Sequence, residues 1–145
     1  MSRRAKSVTL EPTEAQEQAA VVAWFDAYAR TKNIDPRLLM ASAGGAVLGG
    51  DARLRAIRAA QLKRQGYRNG TPDLFLSLPK RDLRRPFPVL FCGLYIEMKR
   101  ATGGKVSREQ SSMIDLLREQ ESPYKAVVCN GAEAAIREIK GYIEL

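Results

Sequence analysis

GTPDLFLSL (residues 70–78) and VLFCGLYIEMK (residues 89–99) are the two stretches whose reading decides the fold. Each is an apolar run entered through turn-forming residues, and together they read as two strands, Leu74 to Leu78 and Val89 to Met98, joined by the basic loop Pro79 to Pro88. Successive side chains on a strand point to opposite faces, so Glu97 and Lys99 share one face while Met98 points into apolar packing. Asp73 opens the first strand. Two carboxylates and an ammonium on neighbouring strands suit Mg²⁺ or Mn²⁺, which prefer oxygen ligands, together with a phosphate group and an activated water. The plainer readings are a turn aspartate satisfied by nearby amides and an ordinary half-solvated charged strand face. Against the second stand the apolar neighbours Tyr95, Ile96 and Met98, because a buried carboxylate needs a partner or a metal.

Helical patterns lie on both sides of this pair. Thr13 with Gln16 three residues later is a helix-start signature for a first helix from about Glu14 to Arg30. Gln18, Val21, Val22 and Phe25 form its apolar-side stripe, with Glu14 one turn earlier on the same side and Glu17 a solvent-facing neighbour. The stretch Ala41 to Gly50, with Gly44-Gly45 and Gly49-Gly50, reads as a loop or weak strand. Asp51 caps a second helix running to Gln65, and Gly66 stops it. Ser107 with Gln110 opens a third helix bearing Met113, Ile114, Leu116 and Leu117. A strand from Lys125 to Cys129 and a helix from Ala132 to Tyr142 close the chain. The expected fold is therefore α/β: a small mixed sheet flanked by helices, its last strand parallel to the one before it. Residues 1–12 read as a flexible basic arm and residues 13–145 as one domain.

Composition narrows the chemistry. The chain has 145 residues, 45% apolar, with 24 Lys and Arg against 16 Asp and Glu. A net charge of +8 and a pI near 9.8 point to an anionic polymer such as nucleic acid. Histidine is absent, which excludes a His-based triad and His-ligated zinc. Cys92 and Cys129 lie in apolar strand-like runs and read as buried thiols, with no metal-ligand spacing. No apolar run reaches the roughly 18 to 20 residues that span a bilayer, and Met1 to Lys6 is basic without an apolar signal core, so the expected place is the cytoplasm.

Taken in order, Glu14 and Gln18 on a helix, Gly70-Thr71-Pro72-Asp73, Glu97-Met98-Lys99, Gly104-Lys105-Val106-Ser107 and then Gln110 resemble the PD-(D/E)XK nuclease superfamily. Within it, they resemble the virus-type replication-repair nuclease (VRR-NUC) family, over roughly residues 13 to 143. The resemblance implies a restriction-endonuclease-like core and a Mg²⁺- or Mn²⁺-dependent deoxyribonuclease, acting on branched DNA such as a Holliday junction. It also implies a phage and DNA-repair setting, in the host-cell cytoplasm if viral, and a homodimer. Asp73 and Glu97 would be metal ligands, joined by the Met98 backbone carbonyl and by Glu14 directly or through water. Lys99 would act on the attacking water and the transition state. Gln110 would steady Lys99 or the nucleophile, unless it serves only as the capping residue of Ser107. Relatives often carry an Asn after the first helix. Here Ser42 is the only side chain in Met40 to Gly44 that could substitute.

Phosphate contacts are expected from Arg53, Arg55, Arg58, Lys63, Arg64 and Arg68, from the loop residues Lys80, Arg81, Arg84 and Arg85, and from Lys105 and Arg108. For any one of them the plain reading is a solvated face. Other classes remain open: a flap-type nuclease, a non-catalytic DNA-binding module on the same fold, or an RNA-binding protein permitted by the charge. Intact Asp73, Glu97 and Lys99 favour the enzyme.

Overall fold

The computed structural model describes residues 10–42 and 49–144. Residues 1–9 of the basic arm and the Gly44-Gly45 pair lie outside the described residues. Helix α1 (Glu14–Thr31) starts at the capping box read from the sequence: the Thr13 hydroxyl accepts the Gln16 N–H at 3.2 Å, and the Gln16 amide oxygen accepts the Thr13 N–H at 2.9 Å. Its buried stripe is Val21, Phe25 and Ala29. Val22 packs at the edge of the core, and Gln18 is half-buried above it, so the stripe is rotated slightly from the expected one.

A four-stranded sheet carries the core, in the order β1 (Leu39–Ala41), β2 (Leu74–Leu76), β5 (Leu94–Lys99), β6 (Lys125–Asn130). The first three are antiparallel neighbours, and β5 runs parallel to β6 through helix α3 (Arg108–Arg118). Leu94, Ile96 and Met98 are fully buried on one face, against Val21 and Phe25 of α1 and Ala135 and Ile139 of α4 (Ala132–Ile143). Tyr95, Glu97 and Lys99 belong to the other face, where Gln110 of α3 meets Glu97. Cys92 and Cys129 are free thiols, Cys129 buried. No helix among the described residues is long and apolar enough to cross a membrane.

Two expectations are corrected. Strand β1 was not anticipated at Leu39, which follows a turn begun by Asp35 and Pro36; three residues are too few for a periodic signal. The run Val89 to Met98 is not one strand. Its first part, β4 (Val89–Phe91), pairs with β3 (Lys80–Arg81) in a separate two-stranded sheet. The chain turns at Cys92-Gly93, where glycine permits the close approach of β2: a Cβ at 93 would lie 2.6 Å from the Phe75 ring and 3.0 Å from the Leu76 carbonyl oxygen.

Helix α2 (Ala52–Arg64) has no buried residue. It forms from strong helix formers, with the Asp51 carboxylate accepting the Leu54 N–H at 2.9 Å and Gly66 at φ 101° beyond its end. Helix α4 is capped from outside itself. Gly131 supplies no side chain, and Glu17 of α1 accepts the Ala132 N–H at 2.7 Å. At the other end Lys80 Nζ donates to the Gly141 and Tyr142 carbonyls, both at 3.0 Å, and the Tyr142 hydroxyl donates to the Leu78 carbonyl at 2.6 Å. Lys80 is therefore engaged with a helix C-terminus instead of offered to phosphate. Lys80→Met is expected to lower the unfolding free energy by about 1–2 kcal/mol, by loss of charge-assisted hydrogen bonds. Urea unfolding measures the loss, and the salt dependence of DNA binding by the same variant should match wild type.

Candidate active site

Asp73 stands just before β2, after the fully buried Pro72. Gly70 brings this turn against the start of α3: it takes φ 84°, and a Cβ on it would collide with the Glu109 carbonyl and lie 2.8 Å from the Gln110 nitrogen. Asp73 is held across the sheet, its Oδ2 accepting the Met98 N–H at 2.7 Å. Met98 thus turns its backbone polar groups toward Asp73 and not toward β6, since the N–H and C=O of one strand residue point the same way.

Glu97 is 1% exposed and Lys99 5%. Glu97 Oε1 accepts the Lys99 ammonium at 2.9 Å and the Gln110 amide N–H, while its Oε2 is buried without a partner. Burial pushes the Glu97 carboxyl up to about 7; the Lys99 hydrogen bond opposes this only in part, and the Asp73 charge adds to it. Burial raises Asp73 as well, against the Met98 N–H and the Lys99 charge. For Lys99, burial pulls downward, but hydrogen bonding to Glu97 and the charges of Glu97 and Glu14 outweigh it and hold the ammonium above its usual range. Gly104 packs on the lysine stem, where a Cβ would come within 2.7 Å of Lys99 Cβ.

The structure brings together Glu14, Asp73, Glu97, Met98, Lys99 and Gln110. Glu14 reaches Lys99 Nζ at 3.4 Å from the rim, with 47% of its side chain exposed. Glu17 is not a solvent-facing neighbour: it caps α4, a role with no local sequence signal because its partner is 115 residues away. Gln110 closes the capping box and also reaches the centre, though at Glu97 and not at Lys99 as expected: its oxygen accepts the Ser107 N–H at 2.9 Å, and its nitrogen donates to Glu97. Sequence reasoning also missed Glu11, whose carboxylate accepts the Thr102 N–H at 2.9 Å and hydroxyl at 2.7 Å, tying the approach to α1 to the turn after Lys99.

Several expected phosphate-binding residues are engaged within the chain. Arg55 and Arg58 donate to the Gly50 and Gly49 carbonyls, Arg68 to those of Lys63 and Tyr67, and Arg84 and Arg85 pair with Asp82. Because β2 and β5 are antiparallel, the hairpin with Lys80, Arg81, Arg84 and Arg85 leaves the sheet at the Leu94 end, opposite Lys99. It does not share an end of the sheet with the carboxylates. Among the described residues, Arg53, Lys63, Arg64, Arg81, Lys105 and Arg108 have no side-chain hydrogen bond or ion pair.

The donor set fits a hard divalent cation. No three Asp, Glu or Cys side chains converge as a metal cage among the described residues. Mg²⁺ does not require one, because it keeps water and takes one or two carboxylates with substrate phosphate. The unpartnered Glu97 Oε2 beside Asp73 is the oxygen such an ion would satisfy.

An α/β sheet with this carboxylate pair and lysine at the end of a central strand is the core of a PD-(D/E)XK-like nuclease fold. The VRR-NUC domain matches residues 12–133, and the chain belongs to the VRR-NUC family. A solved structure described as a VRR_NUC domain protein is 25% identical, with a TM-score of 0.68 over 93% of this chain and 91% of its own. Among curated proteins nothing matches. The chain is thus a nuclease-type DNA-processing domain, from a family that typically uses divalent metals.

The Glu97 carboxyl gives a pH test. The unfolded chain releases this proton near 4.5, whereas the folded chain holds it to about 7. In that window the folded state binds more protons, so stability falls as pH rises. Glu97→Gln removes the titration. In EDTA, the variant should gain about 1–3 kcal/mol on wild type between pH 4.5 and pH 8 by urea unfolding. A gap that stays flat with pH would show an ordinary carboxyl.

Proposed function

We propose that this chain is a Mg²⁺- or Mn²⁺-dependent, structure-selective endonuclease that hydrolyses phosphodiester bonds in branched DNA, with the four-way junction as its leading substrate. The observation carrying the proposal is the buried Glu97, with one oxygen held by Lys99 and Gln110 and the other left without a partner beside Asp73. Asp73, Glu97 and the Met98 carbonyl would hold the ion, with Glu14 at the rim directly or through water. When bound, the ion supplies Lewis-acid polarisation of the phosphate and a water of lowered pKa.

Lys99 keeps its proton at neutral pH, so it serves as a hydrogen-bond donor and positive charge and not as a base. It orients the attacking water and offsets charge developing on the phosphoryl oxygens. Glu97 and Glu14 aim the ammonium from two sides, and Gln110 fixes Glu97. DNA would be held by Arg53, Lys63, Arg64, Lys105 and Arg108 through its phosphates, a contact independent of base sequence. Cutting paired strands of a junction requires two centres, and the reading therefore includes a homodimer.

Labelled four-way junction, flap and linear duplex, each with Mg²⁺ or Mn²⁺, test this reading. Junction cleavage is expected, with no activity for Asp73→Ala. Lys99→Met should lose about 10²–10³-fold in kcat while still binding DNA. Preference for the flap would move the substrate to that class, and wild type no better than Asp73→Ala under both metals would remove the enzyme reading. Light scattering after gel filtration decides the dimer.

A further inference from the structure

Strand register sets three side chains in one row across the sheet. Leu74 pairs with Ile96, and Ala41 pairs with Leu74, so one step along the strands Asp73 stands between Glu97 of β5 and Ser42 at the end of β1. The Ser42 N–H donates to the Asp73 carbonyl at 2.8 Å, which extends the β1–β2 ladder to this pair. Directly opposed residues of antiparallel strands present their side chains to the same face. Asp73 therefore has a carboxylate on one flank and a hydroxyl on the other.

Among the described residues, only two buried side-chain oxygen or nitrogen atoms lack a hydrogen-bond partner: Glu97 Oε2 and Ser42 Oγ. They flank the same aspartate. A hydroxyl withdrawn from water without a partner costs about 1–3 kcal/mol, a penalty that alanine at this position would avoid. The donors available inside the centre are already assigned elsewhere. Lys99 and Gln110 both reach Glu97 Oε1, and the Met98 N–H takes Asp73 Oδ2. Glu97 offers Asp73 no positive charge and, when ionised, no proton. Among the described residues, the hydroxyl that the strand register sets on the flank of Asp73 away from Glu97 is that of Ser42.

We propose that Ser42 is a positioning residue for Asp73: its hydroxyl donates to the Asp73 carboxylate when the centre holds a divalent cation. This role rests on the metal-binding reading above. A ligating carboxylate is oriented by hydrogen bonds from outside the coordination sphere, and removing such a partner typically costs about 10–100-fold in metal affinity or activity. Ser42 reaches the reaction only through Asp73.

Ser42→Ala, Ser42→Thr and Asp73→Ala, each in the full chain, separate this role from simple packing. Mn²⁺ is titrated into metal-free protein by calorimetry, and urea unfolding is followed in EDTA. Ser42→Ala should bind Mn²⁺ about 10-fold or more weakly, while its stability in EDTA is unchanged or higher. Ser42→Thr, which keeps the hydroxyl, should retain most of the affinity. Wild-type affinity in Ser42→Ala, with binding lost in Asp73→Ala, overturns the Ser42 role and leaves the metal site standing. Reduced stability of Ser42→Ala in EDTA, in step with its weaker binding, makes the residue structural and likewise overturns it. Full affinity in Asp73→Ala overturns the metal-binding reading itself.

Discussion

Glu97 and Lys99 are charged side chains two residues apart on a central strand, both almost wholly out of water. Removing two ions from solvent carries a penalty that their mutual attraction offsets only when further hydrogen bonds complete the geometry. Neighbouring elements supply those bonds. Helix α3 brings Gln110 to Glu97, α1 brings Glu14 to Lys99, and β2 brings Asp73 to the Met98 amide between them. The set is still incomplete: the Glu97 carboxyl rises toward neutrality, and its second oxygen has no partner. A fold optimised only for stability would place apolar side chains there instead.

The helices reach the centre because glycines let backbone approach closely. Gly70 allows the Asp73 turn to touch the first turn of α3, and Gly104 allows the loop after β5 to lie on the lysine stem. Glu17 couples α1 to the start of α4, beside the strand end that carries Lys99. Three helices thus converge on one end of the sheet, and a side chain at Gly70 would break the approach of α3.

Much of this was legible in the sequence because it is local. The capping boxes at Thr13 and Ser107, the Asp51 cap and the parallel β5–β6 pair follow from spacing alone, as does the alternation that separates Met98 from Glu97 and Lys99. What escaped is non-local. Strand β1 has three residues and gains its ladder from β2; the break at Gly93 lies where the Phe75 ring packs too close for a side chain; Glu17 finds its partner in another helix. Gln110 shows why the alternatives seen in sequence were not exclusive, since an amide has an oxygen for the cap and a nitrogen for the site.

The same distinction reorganises the positive charge. Counted along the chain, the basic residues of α2, the hairpin and α3 form one candidate surface, but the topology divides them. Lys80 closes α4, Arg84 and Arg85 answer Asp82, and the hairpin leaves from the end of β5 that is farthest from Lys99. Six residues of strand separate the two ends by about 17 Å. Lys105 and Arg108, by contrast, lie in the segment between Lys99 and Gln110, and the C-terminal end of α2 feeds through Arg68 and Gly70 into Asp73. Of the cations without a side-chain partner, Lys105 and Arg108 are therefore close in sequence to the carboxylate end of β5, whereas Arg81 lies on the hairpin at the other end. Helix α2 buries no residue, so its charge is coupled to the sheet through this junction at Gly70 and not through the core.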